Sequence, residues 1–302
     1  MGVVNYKNPL YWSETTLAHQ TAKHSMDHRA QQEVEQVISG KDLEEVHGQA
    51  VRAYKQYSNL IHIASLFLNN INRPLKGIAV DMGSGTGVGA CVLSKFDRIS
   101  LIYAVEFSEQ FVLQVMPITF EKFDADFEKI QPIVGDFNHL DLPDESVDII
   151  LDIDSFHHSE DLNFTFNECC RVLRPQGAII SVDRAWPDPY TRDHLNTMLN
   201  RELNENLKLK YGISINDSFT RRDFGEHEYT IQEWVNSYQQ IGFDVDVFSQ
   251  WHPLVLNRIW LKLPITRLFT RLAFLRHKLG KRRHWMYGFN ATRKLFVAVK
   301  NS

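Results

Sequence analysis

The sequence predicts an α/β protein built on a doubly wound sheet, and three observations carry that expectation. From residue 77 onward, short β-branched apolar runs alternate with helical stretches. The runs are apolar nearly throughout, as strands buried on both faces must be. A turn of closely spaced glycines follows the first run. In order, "GIAVDM" (77–82) precedes a helix near 87–95, and "SLIYAVE" (100–106) precedes one near 108–122. "QPIVGD" (131–136) and "VDIILDI" (147–153) follow, with a helix near 161–173 before "GAIISVD" (177–183). Parallel strands need right-handed crossovers, which puts every C-terminal strand end on one edge and makes that edge the ligand site.

Helical elements flank this alternation. A helix is expected around "HRAQQEVEQVI" (28–38), ended by Ser39-Gly40. A stronger one follows, with Asp42 as N-cap, Glu45 three residues on, and Val46, Ala50, Tyr54, Tyr57, Ile61, Ala64 and Leu68 at helical spacing toward Pro74. Residues 1–74 therefore predict an N-terminal helical cap, and 75–302 the main domain. That domain carries insertions at about 187–229, expected to be mostly helical, and at about 250–293. Between them, Thr230 with Glu233 forms a capping box for a helix closed by Gly242. "FDVDVFS" (243–249) and "KLFVAVK" (294–300) supply two more strands, too far apart in the chain for a tight hairpin.

With 302 residues, 43% hydrophobic and 23% charged, the chain can bury a full core and shows no repeat or low-complexity tract. No secretion signal or membrane span is expected, and Cys91, Cys169 and Cys170 cannot build a disulfide framework. No residues are assigned to a metal. A reducing cytoplasm is the expected home. Charge is divided unevenly. All 37 acidic residues precede residue 247, whereas twelve of the 33 lysines and arginines follow it, from Arg258 to Lys300. Such asymmetry points to an anionic partner or to a match with the acidic body.

The glycine turn indicates which ligand the sheet edge takes. A strand ending at Asp81, followed by Gly83, Gly85 and Gly87 and then a helix, lets the backbone approach a nucleotide closely. The dinucleotide spacing fails at Val88, and no Gly-Lys-Ser/Thr supplies a Walker loop. Asp81 would repel phosphate and attract an ammonium group. A ligand with a cationic amino acid end and an uncharged nucleoside fits, and S-adenosylmethionine is one. Glu106 ends the next strand, placed to accept ribose hydroxyls, and Asp136 ends the third, where its carboxylate can meet the adenine amino group while Phe137 covers the ring.

These residues, with "VDMGSGTG" (80–87), "GDFNHLDLPDESVDIILDIDSFHH" (135–158) and "RVLRPQGAIISVD" (171–183), resemble the class I S-adenosylmethionine-dependent methyltransferases, type 11/25-like, of the bacterial small-molecule branch. The resemblance implies a Rossmann-like sheet of seven strands, mostly parallel, with the last strand antiparallel. It implies S-adenosylmethionine as cofactor, bound by Asp81, Gly83, Ser84, Gly85, Gly87, Glu106, Phe107, Asp136, Phe137 and Asp152. Gln176 departs from the family pattern, standing where the first glycine of a Pro-Gly-Gly turn is usual, and the long insertion before the last strand departs too.

Methyl transfer requires an aligned nucleophile and, for an oxygen or a protonated amine, removal of a proton. Candidate bases lie just past strand ends: His157 and His158 after the fourth strand, Asp183 after the fifth, and His227 in "TRRDFGEHEYT" (220–230), beside Arg221, Arg222, Glu226 and Glu228. Shaping of the substrate site and base catalysis are both open to the histidines, and Asp183 can equally cap its turn. Trp186, Tyr190 and Trp234 can line a pocket or pack in the core. "DPY" (188–190) stands after the wrong strand for the motif of amino-directed nucleic acid methyltransferases, which disfavours base methylation.

In the second insertion, Ile265, Leu268, Phe269, Leu272, Leu275 and Leu279 form one stripe and Arg267, Arg271, Lys278 and Lys281 the other face, with Gly280 as stop. Residues 258–284 can be a lid, an anchor on an anionic membrane, or a site for a phosphorylated carrier or RNA. The expected reaction is methylation of an oxygen or nitrogen of a small molecule, such as a sugar or lipid-linked acceptor. RNA or protein methylation, and a cofactor-binding subunit without catalysis, are the competing readings.

Overall fold

The computed structural model describes residues 7–12, 27–28, 48–159, 161–250, 265–286 and 293–301. One sheet organises them. Its strands are β1 (Leu10–Tyr11), β2 (Gly77–Met82), β3 (Ile99–Glu106), β4 (Ile130–Val134), β5 (Val147–Ile153), β6 (Leu173–Arg184), β7 (Phe243–Gln250), β8 (Arg283–Met286) and β9 (Arg293–Lys300). They lie in the order β1-β4-β3-β2-β5-β6-β9-β7-β8. All neighbours pair in parallel except β6 with β9 and β9 with β7, so the last strand runs against the rest. The seven expected strands are all present. The count rises to nine because a short strand is added at each edge, and strands of two and four residues leave too little alternation to read.

Helices cover both faces. α1 (Gly48–Asn70), α2 (Val88–Ser94), α3 (Met116–Lys122, preceded by a π turn at Phe111–Val115) and α8 (Ile265–Lys278) lie on one side. α4 (Leu162–Val172) and α7 (Ile231–Ile241) lie on the other. Strand residues alternate between these layers: Ala79, Ile149 and Val297 join the first core, Val80, Ile150 and Phe296 the second. Leu60, Ile61, Ala64, Phe67 and Leu68 of α1 belong to that first core, so the cap helix is integral to the main body. The expected helix at 29–38 and its successor's cap at Asp42 lie outside the described residues.

Local signals explain several ends. Asp161 caps α4 by accepting from the Asn163 N–H. Thr230 and Glu233 form the anticipated reciprocal box on α7, and Gly242 closes that helix at φ 98°. The 187–229 insertion is less helical than expected: it holds α5 (Arg192–Leu199) and α6 (Glu205–Lys210), then turns as far as Thr230. Ion pairs hold those turns over the edge of the sheet, an arrangement that helical spacing does not signal.

Gln176 sits in the left-handed region at φ 68°, where a side chain is unfavourable and glycine is not. It is exposed, so no burial offsets this strain. Gln176→Gly is expected to raise stability by roughly 0.5–1 kcal/mol, the relieved strain being partly offset by glycine's freer unfolded chain; chemical denaturation measures it, and a loss of stability would show that the turn prefers the longer side chain.

Candidate active site

The glycine turn is held by Asp81 from inside. Gly83, Gly85 and Gly87 take φ of 64°, 52° and 86°, which bends the chain sharply between β2 and α2. Asp81 is 1% exposed. Its Oδ2 accepts from the Ser84 hydroxyl at 2.5 Å and from the Ala90 N–H at 2.8 Å. A Cβ on Gly89 would lie 2.4 Å from Asp81 Oδ1, so that glycine makes room for the carboxylate. Asp81 therefore faces the loop and the first turn of α2, and its charge acts on a ligand through the loop it shapes. Burial pushes its pKa up to about 6, against the pull of both hydrogen bonds.

Glu106 ties the same loop to the next strand end. Its two oxygens accept from the Gly85 N–H at 2.8 Å and the Ser108 N–H at 2.9 Å. It is buried, which raises its pKa to about 7 despite those donors. Phe107 follows, half-buried. Past β4, Asp136 Oδ1 accepts from the Asn138 N–H and side-chain amide at 2.7 and 3.0 Å. Phe137 packs toward the glycine loop, its Cδ1 3.5 Å from where a Gly83 Cβ would be. Asp81, Gly83, Ser84, Gly85, Gly87, Glu106, Phe107, Asp136 and Phe137 thus gather at one end of adjacent strands. Asp152 stands on the adjoining strand, opposite Met82. Its Oδ1 accepts from the Ser155 and Phe156 N–H groups, both at 3.0 Å, and its Oδ2 from the Ser181 hydroxyl, so it is consumed in holding the turn after β5.

That turn carries the two histidines. His157 is 3% exposed, and its Nδ1 lies 2.6 Å from Asp183 Oδ1. Asp183 Oδ2 also accepts the His157 N–H at 3.0 Å, locking ring and backbone to the end of β6. Burial, helped by the Arg184 charge, pushes His157 down to about 3, so its ring is neutral. Burial likewise raises Asp183 to about 6. We take the pair as a carboxylate with a neutral imidazole, since the Nδ1 hydrogen then satisfies Asp183 and leaves Nε2 as the acceptor. The His158 ring packs at 4.3 Å from that of His157, and its Nδ1 lies 3.2 Å from the Gly225 carbonyl. His227 meets this site through its backbone, donating N–H to the His157 carbonyl at 2.8 Å, while its ring stacks on Tyr229.

The "RRDFGEHE" loop closes over this corner by ion pairs. Arg221 bridges Glu226 and Glu228, both at 2.5 Å, and Arg184 reaches Glu226 at 3.1 Å. Trp186 donates to Glu228, and Tyr190 packs on Trp186. Of the two roles open to Trp234, the structure shows the core: it is fully buried and stacks on Phe296 at 5.0 Å. Asp188 of "DPY" accepts the Gln232 N–H and pairs with Arg283, a structural role.

Three residues not singled out for the site complete it. Asp154, at φ 53° just past β5, accepts from the Tyr57 hydroxyl at 2.7 Å and pairs with Arg293 at 2.7 Å. Tyr57 lay within a helical stripe read as core, and Arg293 within a basic run. Antiparallel pairing puts Arg293, the first residue of β9, opposite Arg184 at the end of β6, and so at the ligand edge. Asp154, His157 and Asp183 bring ligand-type atoms within 4.8 Å of one another. Within the protein, Asp154 is paired with the Arg293 charge, and Asp183 is met by hydrogen bonds from the His157 ring and backbone.

Residues 80–181 match the methyltransferase domain family. The sterol 24-C-methyltransferase of Clavispora lusitaniae is 22% identical over 183 residues, covering 59% of this chain and 42% of that protein. A malonyl-[acyl-carrier protein] O-methyltransferase of Methylococcus capsulatus is 49% identical over 47 residues, 16% of this chain and 17% of its own. The chain thus spans less than half the length of these relatives. The YcgJ protein of Bacillus subtilis superimposes with a TM-score of 0.50 at 20% identity, covering 79% of this chain and 98% of that one, a likeness of fold. The chain carries a class I S-adenosylmethionine-dependent methyltransferase domain, and S-adenosylmethionine is the cofactor of that class.

Asp81→Ala should destabilise the protein by roughly 1–3 kcal/mol, because it strands the buried Ala90 N–H and Ser84 hydroxyl; a thermal melt unchanged from wild type would remove Asp81 from this role. Glu106 sets a pH dependence. Its folded pKa, about 7, lies above the ordinary carboxylate value, so the folded state holds the extra proton between pH 7 and 4.5 and this group adds stability as pH falls through that window. As an acceptor for cofactor hydroxyls Glu106 would need its ionised form, and in that role S-adenosylmethionine affinity should weaken as pH falls below 7. Calorimetry from pH 8 to 5.5 should show both affinity and its pH slope reduced in Glu106→Gln, and an unaltered slope would clear Glu106.

Proposed function

We propose that this chain transfers a methyl group from S-adenosylmethionine to an oxygen or nitrogen of a small acceptor, with His157 as the base and Asp183 as the residue that positions it. The observation that carries this reading is the buried His157–Asp183 contact of 2.6 Å, two strand ends from the glycine loop. The cofactor supplies a sulfonium methyl group already activated for in-line displacement. The protein's task is then to hold the acceptor, exclude water and take one proton. Asp81, Gly83, Ser84, Gly85 and Gly87 would hold the amino acid end, Glu106 and Phe107 the ribose, and Asp136 with Phe137 the adenine. Asp152 acts indirectly, by fixing the turn on which His157 stands.

The tautomer fixed by Asp183, rather than the depressed pKa, supports a base. A neutral His157 with Nδ1–H donated to Asp183 keeps its Nε2 lone pair for an acceptor hydroxyl or amine at every physiological pH. A proton-taking group suits oxygen and nitrogen acceptors, which lose a proton on methylation. The named activities of the relatives, on a sterol carbon and on a malonyl group, show how widely such domains range, so the acceptor is argued from this chain's own residues.

Enclosure supports a small acceptor. α1 reaches Asp154 through Tyr57, the 220–230 loop crosses His157 and His158, and β9 brings Arg293. His157 is left almost without solvent contact, behind an enclosing wall suited to a small molecule more than to a nucleic acid strand. His158 and His227 then shape this wall.

His157→Gln should lower turnover by roughly 10²–10⁴-fold with S-adenosylmethionine affinity within a fewfold of wild type. Asp183→Asn should show the same split, because an amide would donate to Nδ1 and turn the ring's proton onto Nε2. Full turnover in both variants, measured with any acceptor the wild type methylates, would exclude the pair from the chemistry.

A further inference from the structure

We propose that α8 is a docking helix that lays its leucine ridge on an anionic lipid surface. At 100° per residue, Leu268, Leu272, Leu275 and Leu279 fall within an arc of about 60°. They are 56%, 45%, 55% and 75% exposed. The opposite side faces the protein: Thr270 and Ala273 are buried, and His277 meets Asp246 at 2.8 Å and the Phe67 ring at 5.6 Å. The helix thus turns small and polar residues inward and its large aliphatic residues outward. That is the reverse of what water alone would favour.

Charge selects the occupant. Arg271, Lys278 and Lys281 are exposed, and the Lys278 ammonium lies over the Phe274 ring at 4.5 Å. Arg271 and Lys278 line one side of the ridge, at about 70° and 90° from its centre on a helical wheel, where long side chains can rise to phosphate headgroups while the leucines enter the acyl boundary. No acidic residue occurs from 247 to 302, so nothing near the ridge in sequence opposes an anionic surface. A second copy of this face would bring like charges together, and a nucleic acid would leave the leucines unsatisfied. A lipid surface satisfies both sets. This placement goes beyond the methyl-transfer reading and holds independently of it, although α8 packs on α1, the helix that carries Tyr57 to the site.

Co-sedimentation of the full chain with phosphatidylcholine vesicles, with and without about a third phosphatidylserine, tests it. Wild type should bind the anionic vesicles at least about tenfold more tightly and lose that preference as salt rises. Leu272→Gln with Leu275→Gln should weaken binding about tenfold, with the thermal melt and S-adenosylmethionine affinity unchanged. Arg271→Gln with Lys278→Gln should abolish the preference for anionic lipid while leaving the melt unchanged. Absence of wild-type binding, or equal binding by the leucine variant, would overturn the proposal. So would a wild-type dimer that the leucine substitutions dissolve, or RNA binding that they leave intact in a protein that ignores vesicles.

Discussion

Four buried carboxylates at the ends of four neighbouring parallel strands are the constraint from which this site is built. Asp81, Glu106, Asp152 and Asp183 lie at or one residue before the ends of β2, β3, β5 and β6, and each is at most 2% exposed. A charge so placed is costly unless hydrogen bonds meet it. Each therefore recruits donors from the chain that follows or adjoins its strand: Ala90 and Ser84, Gly85 and Ser108, Ser155 and Phe156, His157 and Arg184. The loops at the ligand edge have their shapes because these acids must be satisfied. Desolvation still wins in part, since all four are pushed above the ordinary carboxylate range.

The same physics separates the acids by task. Asp152 spends its acceptor capacity on backbone and hydroxyl donors and acts as a clamp, whereas Asp81 takes both of its donors on Oδ2. Glu106 receives one N–H on each oxygen, and a carboxylate oxygen can accept a second donor, so it keeps capacity for a ligand. Asp183 has an imidazole as one of its donors, which converts a structural acid into one that fixes a tautomer. Chemistry at this edge depends on which donor completes each acid.

Much of this was legible in the chain. Period and composition marked all seven long strands, and glycine spacing marked the sharp turn between β2 and α2. The match to the methyltransferase domain family over residues 80–181 agrees with that reading. What escaped were contacts that local pattern cannot encode. The bonds of Asp81 to Ser84 and Ala90 inside the loop, and the room that Gly89, the fourth glycine of the run, makes for it, are among them. Tyr57 keeps helical register with core residues, and only the packing of α1 across the sheet turns its hydroxyl to Asp154. Asp152 followed the pattern of strand-end acids, but its partners Ser155, Phe156 and Ser181 are set by the turn and the adjoining strand.

The antiparallel strand brings the far end of the chain to the edge where the parallel strands end. In an all-parallel sheet only strand ends meet the ligand, and those ends are occupied by the acids and their loops. β9 runs the other way, so its first residue arrives at that edge, and Arg293 can pair with Asp154 across the site from the glycine loop. Moving Arg293 by one residue along β9 would turn its side chain to the other face, because side chains alternate along a strand. The guanidinium therefore depends on register, and register in turn depends on Leu295, Phe296, Val297 and Ala298 staying buried between β6 and β7. The core of the antiparallel pair thus holds Arg293 against Asp154, as the buried acids hold the loops at the other strand ends.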